Sequence, residues 1–190
     1  SGKKSVLEKD GTIHSAGDTV LGADDISGIL EILYGVQLVL DSGKPHKKIE
    51  ILFTIGEELY VKGSDVFDYS KVTAKQAYVL DLSEETTFNI GTIQGGTATN
   101  IVPDCCVLTA YETTLESKSV TDFQKACEIL GFSGGLTGTF GGSDNNSFAK
   151  NGIEGLVLSN GMYNAHSTRE YTTVDDLYKG AELIGQLILL

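Results

Sequence analysis

Three short apolar runs limit what this chain can fold into. They are "KIEILFTI" (48–55), "QAYVLDL" (76–82) and "EGLVLSN" (154–160), all rich in branched residues. Each is too short for a helix and too continuously apolar for a strand with one wet face, so each reads as a buried strand. Helix-length segments separate them. "DISGILEILYGVQLVLDSG" is apolar on nearly every side, Asp24 or Asp25 suits its N-cap, and Gly43 follows its end. "SVTDFQKACEILG" places Phe123, Ala126, Cys127 and Leu130 at helical spacing, with Gly131 as the stop. "TTVDDLYKGAELIGQLILL" carries the stripe Val174, Leu177, Tyr178, Ala181, Ile184 and Ile188. Strands alternating with helices predict an α/β fold: a mostly parallel sheet of strands 48–55, 76–82 and 154–160, sandwiched by helices that include 25–42 and 173–188.

One stretch departs from that rhythm. Residues 86–114, "TTFNIGTIQGGTATNIVPDCCVLTAYETT", hold two strand-like runs joined by a glycine- and threonine-rich turn. That is hairpin grammar, and it predicts antiparallel pairing of 87–94 with 105–113 in an inserted piece. The chain accordingly divides into a first part (1–83), a partial insertion (84–117) and a last part (118–190).

Composition excludes several partners. A net charge of −12 over 190 residues leaves no basic stripe for phosphates, so a nucleic-acid partner is not expected. Neither a basic amphipathic face nor an apolar run of membrane-spanning length is present, so no membrane partner is expected either. Three cysteines, two of them adjacent at Cys105 and Cys106, do not make a disulfide framework and fit a reducing compartment. A soluble, acidic, cytoplasmic protein is the expectation.

The chemistry lies in the acids. Asp24 and Asp25 stand before a helix, Glu57 and Glu58 directly after a strand, and Asp81 at the end of the next. In an open parallel sheet, groups just past the carboxyl ends of the strands converge on one crevice. His166, in "MYNAHSTRE", follows the last strand and can join from the same edge. Five acids and an imidazole cannot all remain ionised without a counter-charge. A divalent metal answers that need, and mixed carboxylate and imidazole ligation suits zinc, manganese or cobalt. His14 and His46 read as exposed loop histidines without a role.

The motifs "LGADDISG", "LFTIGEE", "YVLD", "GGTATNIVPD", "GGSDNNSFAKNGI" and "NAHSTREYTTVDDL", in that order, resemble the peptidase-T-like aminopeptidases. These belong to the dizinc exopeptidase family that includes carboxypeptidase G and succinyl-diaminopimelate desuccinylase. The resemblance implies a zinc-exopeptidase-like fold with a lid, two zinc ions per site, and short peptides as substrates. It implies Asp24 as the carboxylate bridging two metals and Glu57 as the general base. Glu58 and His166 then complete one metal site, Asp81 serves the other, and Asn100 in the lid turn contacts substrate. In a full-length parent it also allows a lid-mediated dimer.

The departures from the pattern bear on activity. The family's early His-x-Asp motif occurs nowhere in these 190 residues. "VLDLS" runs straight into "EETTFN" without the lid's first half, and the lid's closing helix and strand are missing around Ser117–Val120. "YETT" lacks the expected lid arginine, and Ile26 replaces the usual lysine after "ADD". Two function classes follow. The first is a metal-dependent aminopeptidase, tripeptidase-like and impaired in this chain, with one strongly bound metal. The alternative is a non-catalytic metal-binding or scaffold module that retains the fold. A magnesium-dependent phosphotransfer domain drops out for want of a glycine-rich phosphate loop.

Overall fold

The computed structural model describes residues 4–82, 116–136 and 143–190, together with the backbone of 94–95 and 106–107. Its elements run β1 (Ser5–Leu7), β2 (Thr12–Ser15), α1 (Ala23–Ser42), α2 (Lys62–Asp65), β3 (Gln76–Leu82), β4 (Gln94–Gly95), β5 (Cys106–Val107), α3 (Lys118–Leu130), α4 (Asn145–Lys150), β6 (Glu154–Ser159), β7 (Tyr171–Thr173) and α5 (Val174–Leu189).

The α/β expectation holds at the centre. β3 and β6 pair in parallel, with Tyr78 opposite Leu156 and Leu80 opposite Leu158. Leu80 and Leu158 join Ala126 of α3 and Ile184 and Leu187 of α5 in one buried cluster. Burying such side chains contributes about 1.5–3 kcal/mol each relative to leaving them in water, which is why the period-3.6 stripes of α3 and α5 face inward. α1 closes on β3 and α5 through two glycines. A Cβ on Gly28 would lie 2.9 Å from Leu80 Cβ, and one on Gly35 would lie 2.7 Å from the Ala181 carbonyl oxygen. Any larger residue would push the helix off its seat.

The segment 48–55 corrects the sequence reading. It runs beside the core but forms no ladder with β3 or β6, so the parallel sheet has two strands among the described residues. Its side chains do alternate as a strand's would: Ile51, Phe53 and Ile55 are exposed, while Leu52 and Thr54 are half-buried. The physical reason is its neighbour. A groove of about 730 Å³, lined also by Ile29, Ile32, Val79 and Ile188, adjoins it where a hydrogen-bonding partner would be needed. Side chains anchor it instead: the Glu50 carboxylate accepts the backbone N–H groups of Thr73 and Ala74, each at 3.0 Å.

A second sheet was not anticipated. β1, β2 and β7 pair antiparallel, joining the first residues to the strand before α5. Gly11, at φ 92, supplies the left-handed residue of the β1–β2 turn. His14 therefore sits on β2 rather than in a loop, and its Nε2 lies 2.9 Å from Glu8 Oε1. His46 is exposed in a loop, as expected. Within the stretch 86–114, β4 and β5 pair antiparallel through Gln94–Val107 and Gly95–Cys106. The rest of that expectation, with Asn100, lies outside the described residues.

Candidate metal centre

Asp24 and Asp25 cap less simply than their positions suggest. The first residue flanking α1 is Gly22 in the left-handed region, and both aspartates have non-helical backbone angles. The peptide between them is cis. Asp25 takes a backbone hydrogen bond from Gly28, as a cap for the regular turns beyond it. Asp24 is free to face the other way, towards His166.

Three groups meet there. His166 Nε2 lies 2.9 Å from Asp24 Oδ2 and 3.3 Å from Glu58 Oε1. One ligand atom from each of Asp24, Glu58 and His166 lies within 4.8 Å of the others. Zinc bonds to oxygen and nitrogen of about 2.0–2.1 Å place tetrahedral ligand atoms about 3.3 Å apart, so the spacing fits one such ion. His166 reaches this position from a tight turn at φ 63, where Ser167 Oγ donates to the Asn164 carbonyl at 2.7 Å. Glu58 arrives on a 3-10 turn, Glu57–Leu59, entered from Gly56 at φ 70.

The surrounding acids support a cation. Burial pushes Asp81 up to about 8, with Glu57, Asp24 and Asp25 adding their charge. Burial also raises Asp25 to about 7, with Asp24 adding to it, and Glu57 to about 7, with Glu58 adding to it. Asp24 is raised chiefly by burial, against the pull of the His166 imidazole. Carboxyls held this far up repel one another, and a divalent ion would reverse that balance. Asp81 belongs to this field without joining the three-ligand group.

The pH consequence can be stated. Asp25, Glu57 and Asp81 hold protons in the folded state that the unfolded chain releases near pH 4. Their contribution to stability is complete below about pH 4 and is lost as pH rises through about 8. Glu50, held down to about 2 by Lys48 and Thr73, acts oppositely but only below its ordinary range. The melting temperature of chelator-treated protein should therefore fall between pH 5 and pH 8.5. A flat or rising profile would contradict these assignments.

Sequence reasoning missed the groups that hold these acids. Glu170 is 2% exposed, and its two carboxylate oxygens accept the N–H of Gly22 at 2.6 Å and of Asp24 at 3.0 Å. It thereby ties the loop bearing His166 to the residue bearing the opposing carboxylate, through charge-assisted bonds. The buried Asn160 donates from Nδ2 to Asp25 Oδ1, and the same group lies 3.1 Å from Ser27 Oγ. Asp144, from "GGSDNN", accepts the hydroxyls of Thr54 and Ser64. "TREY" carries no sign of a buried acid, and partners 146 to 148 residues apart leave none.

Residues 3–190 match the sequence profile of peptidase family M20/M25/M40. The chain belongs to that family. Among its relatives, the YqjE protein of Bacillus subtilis (strain 168) is 24% identical over 284 aligned positions, covering 99% of this chain and 76% of its own. Peptidase T of Vibrio cholerae (strain ATCC 39541) is 32% identical over 119 positions, covering 62% of this chain and 28% of its own, so the match spans little more than a quarter of that relative. The crystal structure of aminopeptidase PepT from Bacillus cereus superposes with a TM-score of 0.82 at 24% identity, covering 99% of this chain and 76% of that one. The peptidase-T-like M20 resemblance and its α/β fold are thereby shown.

Proposed function

We propose that this M20-family chain carries the metal centre of an aminopeptidase acting on short peptides. The observation that carries the reading is the meeting of Asp24, Glu58 and His166 at ligand spacing, with Glu57 beside Glu58 on the same turn. Zinc suits the donor set, and manganese or cobalt are alternatives. Bound there, a divalent ion supplies Lewis acidity toward water and the scissile carbonyl. Asp24, Glu58 and His166 hold it; Asp81, across the acid field, is assigned to a second and weaker position. Glu57, raised to about 7 by burial and by Glu58, is poised to take a proton from water near neutral pH and pass it to the leaving amine.

Residues 84–117 are read as part of a lid, with Asn100 assigned as a substrate contact, and the compartment as cytoplasmic. Cys127, buried and free, is in keeping with a reducing compartment. No helix among the described residues is long and apolar enough to cross a membrane.

A second reading is a metal-binding or scaffold module without turnover. It is favoured by the position of Asp81, which lies outside the three-ligand group among the described residues. A zinc-loaded sample given an unblocked tripeptide and its N-acetylated form separates the two. Slow release of the amino-terminal residue from the unblocked peptide alone is expected. Cleavage of both forms would contradict aminopeptidase action, and cleavage of neither would favour the module.

A further inference from the structure

The turn that presents Glu57 and Glu58 is closed by its own backbone, with Val61 N–H donating to the Glu57 carbonyl at 2.7 Å and Leu59 N–H to the Gly56 carbonyl at 3.2 Å, but it ends on strained residues. Tyr60 and Val61 follow at φ 65 and φ 50, a left-handed conformation that side-chain-bearing residues, and above all β-branched ones, rarely adopt. The segment leading in, 48–55, has no ladder partner among the described residues. Such a turn persists only where its surroundings over-determine it. Both of its ends lead to one buried carboxylate. Thr54, three residues before Glu57, donates its hydroxyl to Asp144 Oδ2. Ser64, six residues after Glu58 and fully buried, donates to Asp144 Oδ1 at 2.5 Å. Ser64 Oγ carries one proton and has two acceptors in reach, Asp144 Oδ1 at 2.5 Å and the Val61 carbonyl at 3.0 Å; the charged and nearer carboxylate takes it, and the Ser147 hydroxyl, 3.1 Å away, can donate to Ser64 Oγ. Between these ends the loop folds on itself: a Cβ on Gly63 would lie 2.7 Å from Ile55 N.

We propose that Asp144 is a positioning residue that clamps Thr54 and Ser64 together and so sets Glu57 and Glu58 against the Asp24–His166 edge. This deepens the metal-centre reading and rests on it. Asp144 lies outside the three-ligand group and is 8% exposed, so its influence runs through the turn and not through coordination. Like-charge repulsion from its neighbours gives it no reason to sit among acids, whereas two hydroxyl donors from the two ends of one loop do.

Asp144→Ala and Asp144→Asn distinguish this role from others. The carboxamide of asparagine can accept the Ser64 proton and donate N–H to Thr54 Oγ1, so it keeps the clamp while removing the charge. In metal-free protein, backbone amides of 56–62 should exchange about tenfold faster in Asp144→Ala, with amides of β6 and α5 unchanged. Zinc affinity should fall about 10–100-fold in Asp144→Ala, and Asp144→Asn should restore both properties to near the parent's values. Thr54→Val, nearly isosteric, should give the same shifts at smaller size, which covers a failure of the alanine variant to fold. Unchanged exchange in Asp144→Ala, or an asparagine variant as impaired as the alanine one, overturns the clamp. Absence of zinc binding in the parent protein overturns the metal reading instead, and the exchange arm still decides the clamp.

Discussion

Replacing His166 with alanine should abolish tight metal binding. His166 is the only imidazole in the three-ligand group and stands between the two carboxylates, 2.9 Å from one and 3.3 Å from the other. Without it, Asp24 and Glu58 are left as two oxygen donors, a set that magnesium or calcium accepts but that holds zinc poorly. Removing a group that only orients a ligand already costs about 10–100-fold in metal affinity, so loss of the ligand itself should cost more than about 100-fold. The side chain is 62% exposed, and ion pairs made by so exposed a group contribute about 0–1 kcal/mol. The metal-free variant should therefore melt close to its parent. Calorimetric zinc titration beside a melting curve checks both halves. Zinc affinity within about tenfold of the parent would show that the imidazole does not ligate.

The second large effect concerns Glu57. Glu57→Gln should leave zinc affinity nearly intact while lowering any peptide turnover by about 10²–10⁴-fold, the usual worth of a positioned general base. Glutamine has nearly the same shape and cannot carry the proton. Glu57 is half-buried where Glu58 is exposed, and burial and the charge of Glu58 raise it to about 7. The two adjacent residues thus have different environments and are assigned different tasks, proton transfer and ligation. Hydrolysis of an unblocked tripeptide, measured on samples of verified zinc content, tests the assignment. Loss of zinc in Glu57→Gln would show that the roles of the two glutamates are exchanged.

Much of this centre is legible in the sequence because acids at the ends of apolar runs are conspicuous. Asp24, Glu57, Glu58, Asp81 and His166 each follow or precede a run whose period announces it. α1, α3 and α5 are likewise legible from their stripes and glycine stops. The short strands are not. β1, β2 and β7 are only three or four residues long, so their pairing depends on long-range contacts that no local pattern encodes. Residues 48–55 misled for a related reason: composition and alternation define a strand's side chains, but only a neighbour satisfies its backbone. The supports of the centre were hidden most completely. Glu170 and Asp144 look in sequence like surface acids, and their burial follows from backbone N–H and hydroxyl donors brought to them from far along the chain.

The central claim is that Asp24, Glu58 and His166 form one complete metal site while Asp81 marks an incomplete one. Zinc titration of the 190-residue chain at pH 7, with bound metal counted by elemental analysis, tests it most directly. The account predicts about one equivalent held tightly and a second that washes out on dialysis, because two carboxylate oxygens without an imidazole make a weak zinc site. Two equivalents retained through dialysis would contradict it, and would mean that another residue supplies the missing donor beside Asp81.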